Sequence, residues 1–132
     1  MLGAFRPSSQ SVSSKGSKLL VKILSVRNND STNAVFRITS YRTTGNGFYG
    51  SVFAHLGYHK GTIQNIKKDI ISVDGINGLE LYYKIFDDGV DFYAYNNIEN
   101  YTTINVFSFT NKNLSIEASD EDISNLTQIS LV

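Results

Sequence analysis

Apolar and polar residues alternate with a period of two along most of this chain, the pattern of strands with one face buried. It is clearest over Leu79–Phe86, where Leu79, Leu81, Tyr83 and Ile85 alternate with Glu80, Tyr82, Lys84 and Phe86. Asp88-Gly89 marks a tight turn into Val90–Tyr95, with Val90, Phe92 and Ala94 on one face and Asp91, Tyr93 and Tyr95 on the other. A second hairpin joins Ala34–Tyr41 to Phe48–Leu56 through Thr43–Gly47, because Asn46 and Gly47 both tolerate positive φ. Gly57 and Gly61 bracket a further turn, and Thr62–Val73 reads as a strand with a break at Lys67–Asp69. Asp74-Gly75 and Asn77-Gly78 are turn signals. Tyr101–Phe109 is a β-branched and aromatic strand, Leu114–Ala118 a short one, and Thr127–Leu131 a closing one. Ser119 and Asp122 stand at capping-box spacing for one helical turn over Ser119–Asn125.

Lys18–Arg27 breaks the alternation: Leu19, Val21 and Ile23 fall on one face, and Leu20, Leu24 and Val26 on the other. A strand apolar on both faces is buried on both. In a small antiparallel domain a neighbouring subunit can supply the second cover, which points to Leu19, Leu20, Val21, Ile23 and Leu24 as an oligomer interface. A helix is the competing reading; the turn cluster Asn28–Ser31 close behind favours a strand. Ser8–Ser17, SSQSVSSKGS, reads as a flexible polar lead-in. Before it, Leu2, Phe5 and Pro7 read either as a docking peptide or as a plain disordered terminus. The chain thus divides into a flexible Ser-rich segment, residues 1–17, and a β domain, residues 18–132. About eight or nine strands at roughly ten-residue spacing predict an all-β, antiparallel sandwich of jelly-roll type.

Charge narrows the function classes. Twelve Lys and Arg balance twelve Asp and Glu in 132 residues, and only 18% of residues are charged. A nucleic-acid binder needs a cationic field to displace counterions, so none is expected. The polar surface is instead built from Asn, Ser, Thr and Tyr, groups suited to hydrogen bonding. Cysteine is lacking, which excludes disulfides and thiolate chemistry. Met1–Gln10 has no apolar h-region, so a signal peptide is not expected, and no apolar run approaches membrane-span length.

Candidate chemistry is sparse. His55 and His59 form H-x-x-x-H, but Gly57 between them disfavours a helix, and on a strand residues four apart lie about 13 Å from each other. Asp87-Asp88, Asp74 with Asp91, and Glu117 with Asp120–Asp122 are acid pairs of the kind a glycosidase needs; the first is also explained by its turn and the last by a helix start and a solvated face. A nucleophile elbow is lacking, and the glycines around Gly45 fit hairpin chemistry better than a phosphate loop. No cofactor or metal is expected. Four N-x-[ST] sequons, at Asn29, Asn100, Asn113 and Asn125, are what so Asn-, Ser- and Thr-rich a chain yields by chance. The most suggestive group is Tyr93, Tyr95, Asn96, Asn97 and Tyr101, which combines flat apolar rings with amide donors and acceptors and suits a sugar or a protein partner. The plainer reading is that these tyrosines pack at a subunit interface or against the other sheet.

In chain order, LLVKILSV, AVFRITSYR, GNGFYGSVFAHLGY, LELYYKIFDDGVDFYAY and the final ISLV resemble the distal modules of bacteriophage tail fibres, tailspikes and neck appendages over Lys18–Val132. The resemblance implies a jelly-roll module, made in the host cytoplasm and carried on the virion tail or appendage. It implies a homotrimer that recognises a host cell-surface glycan or protein, contacts other virion proteins and does not enter a membrane. Some related tips are released by self-cleavage, and no motif for that activity is present here. Two alternatives stand beside this non-enzymatic reading: a structural virion protein, as in head decoration or connector and tail assembly, and a glycan-active enzyme.

Overall fold

A computed structural model describes residues 6–27, 31–44, 47–59, 65–110 and 114–131. The turns expected at Asn28–Asp30, Gly45-Asn46 and Lys60-Gly61, the docking residues Leu2 and Phe5, and the sequon residue Asn113 lie outside these.

The strands are β1 (Arg6–Lys15), β2 (Leu19–Arg27), β3 (Thr32–Arg42), β4 (Phe48–His59), β5 (Asn65–Asp74), β6 (Leu79–Phe86), β7 (Gly89–Asn96), β8 (Tyr101–Thr110), β9 (Glu117–Ala118) and β10 (Thr127–Ile129). They form two five-stranded sheets, here called A, in the order β1-β8-β3-β4-β5, and B, in the order β10-β6-β7-β2-β9. Every pairing is antiparallel. The chain is therefore an all-β sandwich, as its alternation predicts. The pairs β1·β8 and β2·β7 nest the start of the chain against its later part, while β3, β4 and β5 run as a meander. Between the sheets lies one apolar cluster whose largest fully buried members include Phe36, Ile38, Leu56, Leu79, Leu81 and Phe92.

The Ser-rich segment is not a flexible lead-in. Arg6–Lys15 is a full edge strand, in continuous register with β8 from Arg6↔Thr110 to Lys15↔Tyr101. Small hydroxyl side chains suit it to the rim of the sandwich: Ser13 and Thr103 share a 2.8 Å hydrogen bond, and Val12 packs against the core.

Strand β2 explains its own double-faced pattern. Its register with β7 shifts between Lys22 and Leu24, a bulge that takes Ile23 as the extra residue. A bulge moves side-chain parity by one. Leu19 and Val21 before it and Leu24 and Val26 after it therefore all face the same core. Only Leu20 lies on the outer face, and the chain's own C-terminal segment covers it. The five residues assigned to an oligomer interface, Leu19, Leu20, Val21, Ile23 and Leu24, are at most 5% exposed within one chain. They leave no apolar surface for a second copy.

Two local expectations also change. Gly57 is interior to β4 rather than in a turn, and a Cβ there would stand 2.4 Å from the Asn33 Cβ. Its role is close approach to β3. Strand β5 runs unbroken through Lys67–Asp69, and its irregularity is a bulge at Ile71, between Ile70 and Ser72. The turn glycines Gly75 and Gly78 do adopt positive φ, +57° and +100°.

Candidate functional site

The tyrosine–asparagine group does not assemble. Tyr93 and Tyr95 are on the outer face of sheet B, whereas Asn96 faces inward, fully buried, and donates to Ser40 Oγ on sheet A while its Oδ1 accepts from Ile98 N. Asn96 is thus a bridge between the sheets. Tyr101 starts β8 on sheet A and is half exposed, and Asn97 donates to Glu80 Oε2 at 2.9 Å.

Tyr93 is only 4% exposed, because residues 119–126, which link the edge strands β9 and β10, cross the outer face of sheet B as a strap. Ile123 and Leu126 pack on Leu20, Tyr82 and Tyr93. Ser119 N donates to Leu20 O at 2.9 Å, Lys22 pairs with Glu117 at 3.2 Å, and Lys84 pairs with Glu121. A one-turn 3₁₀ helix at Ile123–Asn125 is capped by Asp122, whose carboxylate accepts from Ser124 N; that bond holds the Asp122 carboxyl below its ordinary pKa. Ser119, expected as the cap, instead accepts from Glu121 N. Burial and the nearby carboxylates Asp91 and Glu121 push the Tyr93 phenol up to about 12. Tyr82 is raised further, first by burial and then by its 2.6 Å hydrogen bond to Glu80.

The acid pairs do not converge either. The Asp91 side chain is 4% exposed and held by Arg27 at 2.9 and 3.3 Å, with the guanidinium lying 4.3 Å from the Phe86 ring centroid. Asp88 is an exposed turn residue 3.8 Å from Arg27 Nε. Asp74 belongs to sheet A. His55 Nε2 donates to Asn33 Oδ1 at 3.1 Å, and among the described residues no group of three or more His, Asp or Glu is placed to hold a metal.

What does assemble is the outer face of sheet A. The register places Phe107, Arg37 and Phe53 side by side on β8, β3 and β4, and Phe109 beside Val35 in the next row. Neighbouring strands are about 4.8 Å apart, so the two rings flank Arg37 at a backbone separation of about 10 Å. Phe53, Phe107 and Phe109 are 39%, 42% and 43% exposed. With Val35, Ser51, Ser72 and Asp74 they line a groove of about 560 Å³. Arg37 and Phe107 are shared with a second groove, of about 380 Å³, completed by Ser9, Thr39 and Asn105. Among the described residues no carboxylate lies within ion-pair distance of Arg37. Aromatic rings, a free guanidinium and a row of hydroxyls and amides thus share one solvent-facing surface.

The signal for this face was present in the chain. In Val106–Thr110 the small Ser108 is buried and the phenylalanines on either side point outward, the reverse of ordinary core patterning.

No family model matches the chain, and no curated protein does. Among solved structures, the crystal structure of the Acinetobacter baumannii phage AM24 tailspike protein is similar over 88% of this chain, at 9% identity and a TM-score of 0.41. The chain spans 28% of that tailspike's length.

Proposed function

We propose that this chain is a non-enzymatic virion module for host-surface recognition, and that it binds through the outer face of sheet A. The observation that carries the reading is the row Phe107–Arg37–Phe53, with three phenylalanines left about two-fifths exposed on one sheet. Exposed apolar patches rimmed by polar groups mark interaction sites. Rings that stack and hydroxyls and amides that bond suit a saccharide, and Arg37 adds a bidentate donor for an acidic substituent. The acids that a glycan-cleaving enzyme would need are spread over different elements or held in ion pairs. The virion setting rests on the sequence resemblance over Lys18–Val132.

The test is binding of fluorescently labelled protein to a panel of bacterial strains and to an array of their surface polysaccharides. The wild-type chain labels a subset of strains and leaves the polysaccharide chain length unchanged. Phe53→Ala and Phe107→Ala each weaken binding at least tenfold, about 1.4 kcal/mol. Equal binding by wild type and both variants would remove sheet A from the account. Failure to label any strain, with efficient incorporation into virions, would favour the structural virion protein.

A further inference from the structure

A sheet edge exposes a row of unpaired N–H and C=O groups, and proteins blunt such edges with charge, proline, bulges or brevity. The sandwich has four edges, and three are blunted. Strand β5 carries Lys67, Lys68 and Asp69 and the bulge at Ile71. Strand β9 is two residues long and β10 three. Strand β1 confines such devices to its ends, Arg6, Pro7 and Lys15: it is ten residues long, has no register shift, and carries neither proline nor charge from Ser8 to Ser14. Its backbone pairs only with β8, and among the described residues no strand lies on its other side; the Gln10 side chain donates to Leu114 O and accepts from Ile116 N in the segment leading to β9.

We propose that β1 is a self-association edge, and that two copies of this chain pair β1 to β1 in antiparallel fashion about a two-fold axis, in place of the homotrimer that the resemblance implies. The strand is suited to itself. Pairing centred on Ser11 sets Ser13 against Ser9, Val12 against Gln10 and Ser14 against Ser8 of the second copy. Small hydroxyls meet across the outer face, and each Lys15 falls opposite Pro7 at an end of the pairing, away from the other Lys15. The zero net charge leaves no overall repulsion between copies. A two-fold axis makes this contact closed, which stops it from propagating into a fibril.

The pairing has a consequence for the aromatic face. Sheet A of each copy contributes five strands to one continuous sheet. The groove holding Arg37 and Phe107 already reaches Ser9 on β1, so the two grooves run towards a common seam. The Arg37 positions of the two copies are five strand steps apart, roughly 24 Å measured across the strands. The dimer therefore presents two copies of the aromatic row on one side, a bivalent surface.

Sedimentation velocity over a wide concentration range tests the proposal, with Ser11→Lys and Ser11→Glu as variants. Ser11 is exposed and outside the core, so both retain the wild-type circular dichroism spectrum and melting temperature. The wild type dimerises. Each variant, with like charges facing across the axis, self-associates at least tenfold more weakly, and an equimolar mixture of the two recovers the dimer. Amide exchange of the wild type supplies an independent reading: β1 amides that point away from β8 gain protection as concentration rises. A wild type that remains monomeric or forms a trimer, a dimer indifferent to Ser11→Lys, or β1 exchange independent of concentration would overturn the proposal.

Discussion

Truncating Leu20 to alanine separates two accounts of strand β2. Leu20 is the one β2 leucine on the outer face of sheet B, 5% exposed, and packed on Tyr82 and Tyr93 beneath Ile123 and Leu126. Leucine-to-alanine changes at buried sites cost about 2–5 kcal/mol, the lower part of that range where surroundings can collapse into the space. The strap is held to the sheet by a few side chains and can settle inward, so a loss of about 2–3 kcal/mol is expected. Leu24→Ala, on the inner face opposite Phe92 between two rigid sheets, should lose about 3–5 kcal/mol. Urea unfolding followed by circular dichroism measures both, and with m of about 1.5–2 kcal/mol/M the Leu20 midpoint falls by roughly 1–2 M. The loss should be the same at every protein concentration, because the cover belongs to the same chain. A Leu20→Ala protein with unchanged unfolding but altered self-association would refute the strap as the cover and return β2 to an intermolecular contact.

Three further outcomes follow from named contacts. Gly57→Ala drives a Cβ to 2.6 Å from the Asn33 Cα, a backbone atom, and should lower stability by about 2 kcal/mol or more in thermal or urea unfolding; a neutral substitution would argue for a turn at Gly57. Arg27→Ala strips the partner from the buried Asp91 carboxylate and should cost about 2 kcal/mol, less than for a fully enclosed pair because Arg27 is itself 42% exposed, whereas Arg27→Ala with Asp91→Asn should recover part of the loss in a double-mutant cycle. The Tyr93 phenol, raised to about 12 in the fold, favours the protonated folded state, so its contribution is complete below the unfolded value of about 10 and is lost as pH rises through 12. Unfolding measured between neutral pH and strong alkali should show the wild type losing stability over that window, and Tyr93→Phe should lose less.

The hairpins and most strands could be read directly from the chain, because Asp88-Gly89 and the Leu79–Phe86 alternation are local signals that tertiary structure had no reason to override. Strand β2 was harder. Its bulge at Ile23 shifts the parity halfway along, so a one-faced strand looks two-faced in a period-two reading. Ser8–Ser14 misled for another reason: serine-rich composition describes a soluble linker and a sheet rim equally well, and only pairing with β8 decides between them. The tyrosine group failed because a strand can place Tyr93 outward, yet no local pattern announces that residues 119–126 will return to cover it. The aromatic face of sheet A depended on seeing Arg37, Phe53 and Phe107 as one row, and they come from three strands whose register no single segment encodes.

The most direct test of the central claim compares surface labelling of responsive bacteria by wild-type protein with labelling by two multiple variants at matched folded concentration. One carries Phe53→Ala, Arg37→Ala and Phe107→Ala on sheet A, and the other carries Tyr95→Phe and Asn97→Ala on the sheet B side. The account predicts that the first loses labelling while keeping its melting temperature, and that the second labels as well as wild type. Retained labelling by the first variant, or loss confined to the second, would contradict it.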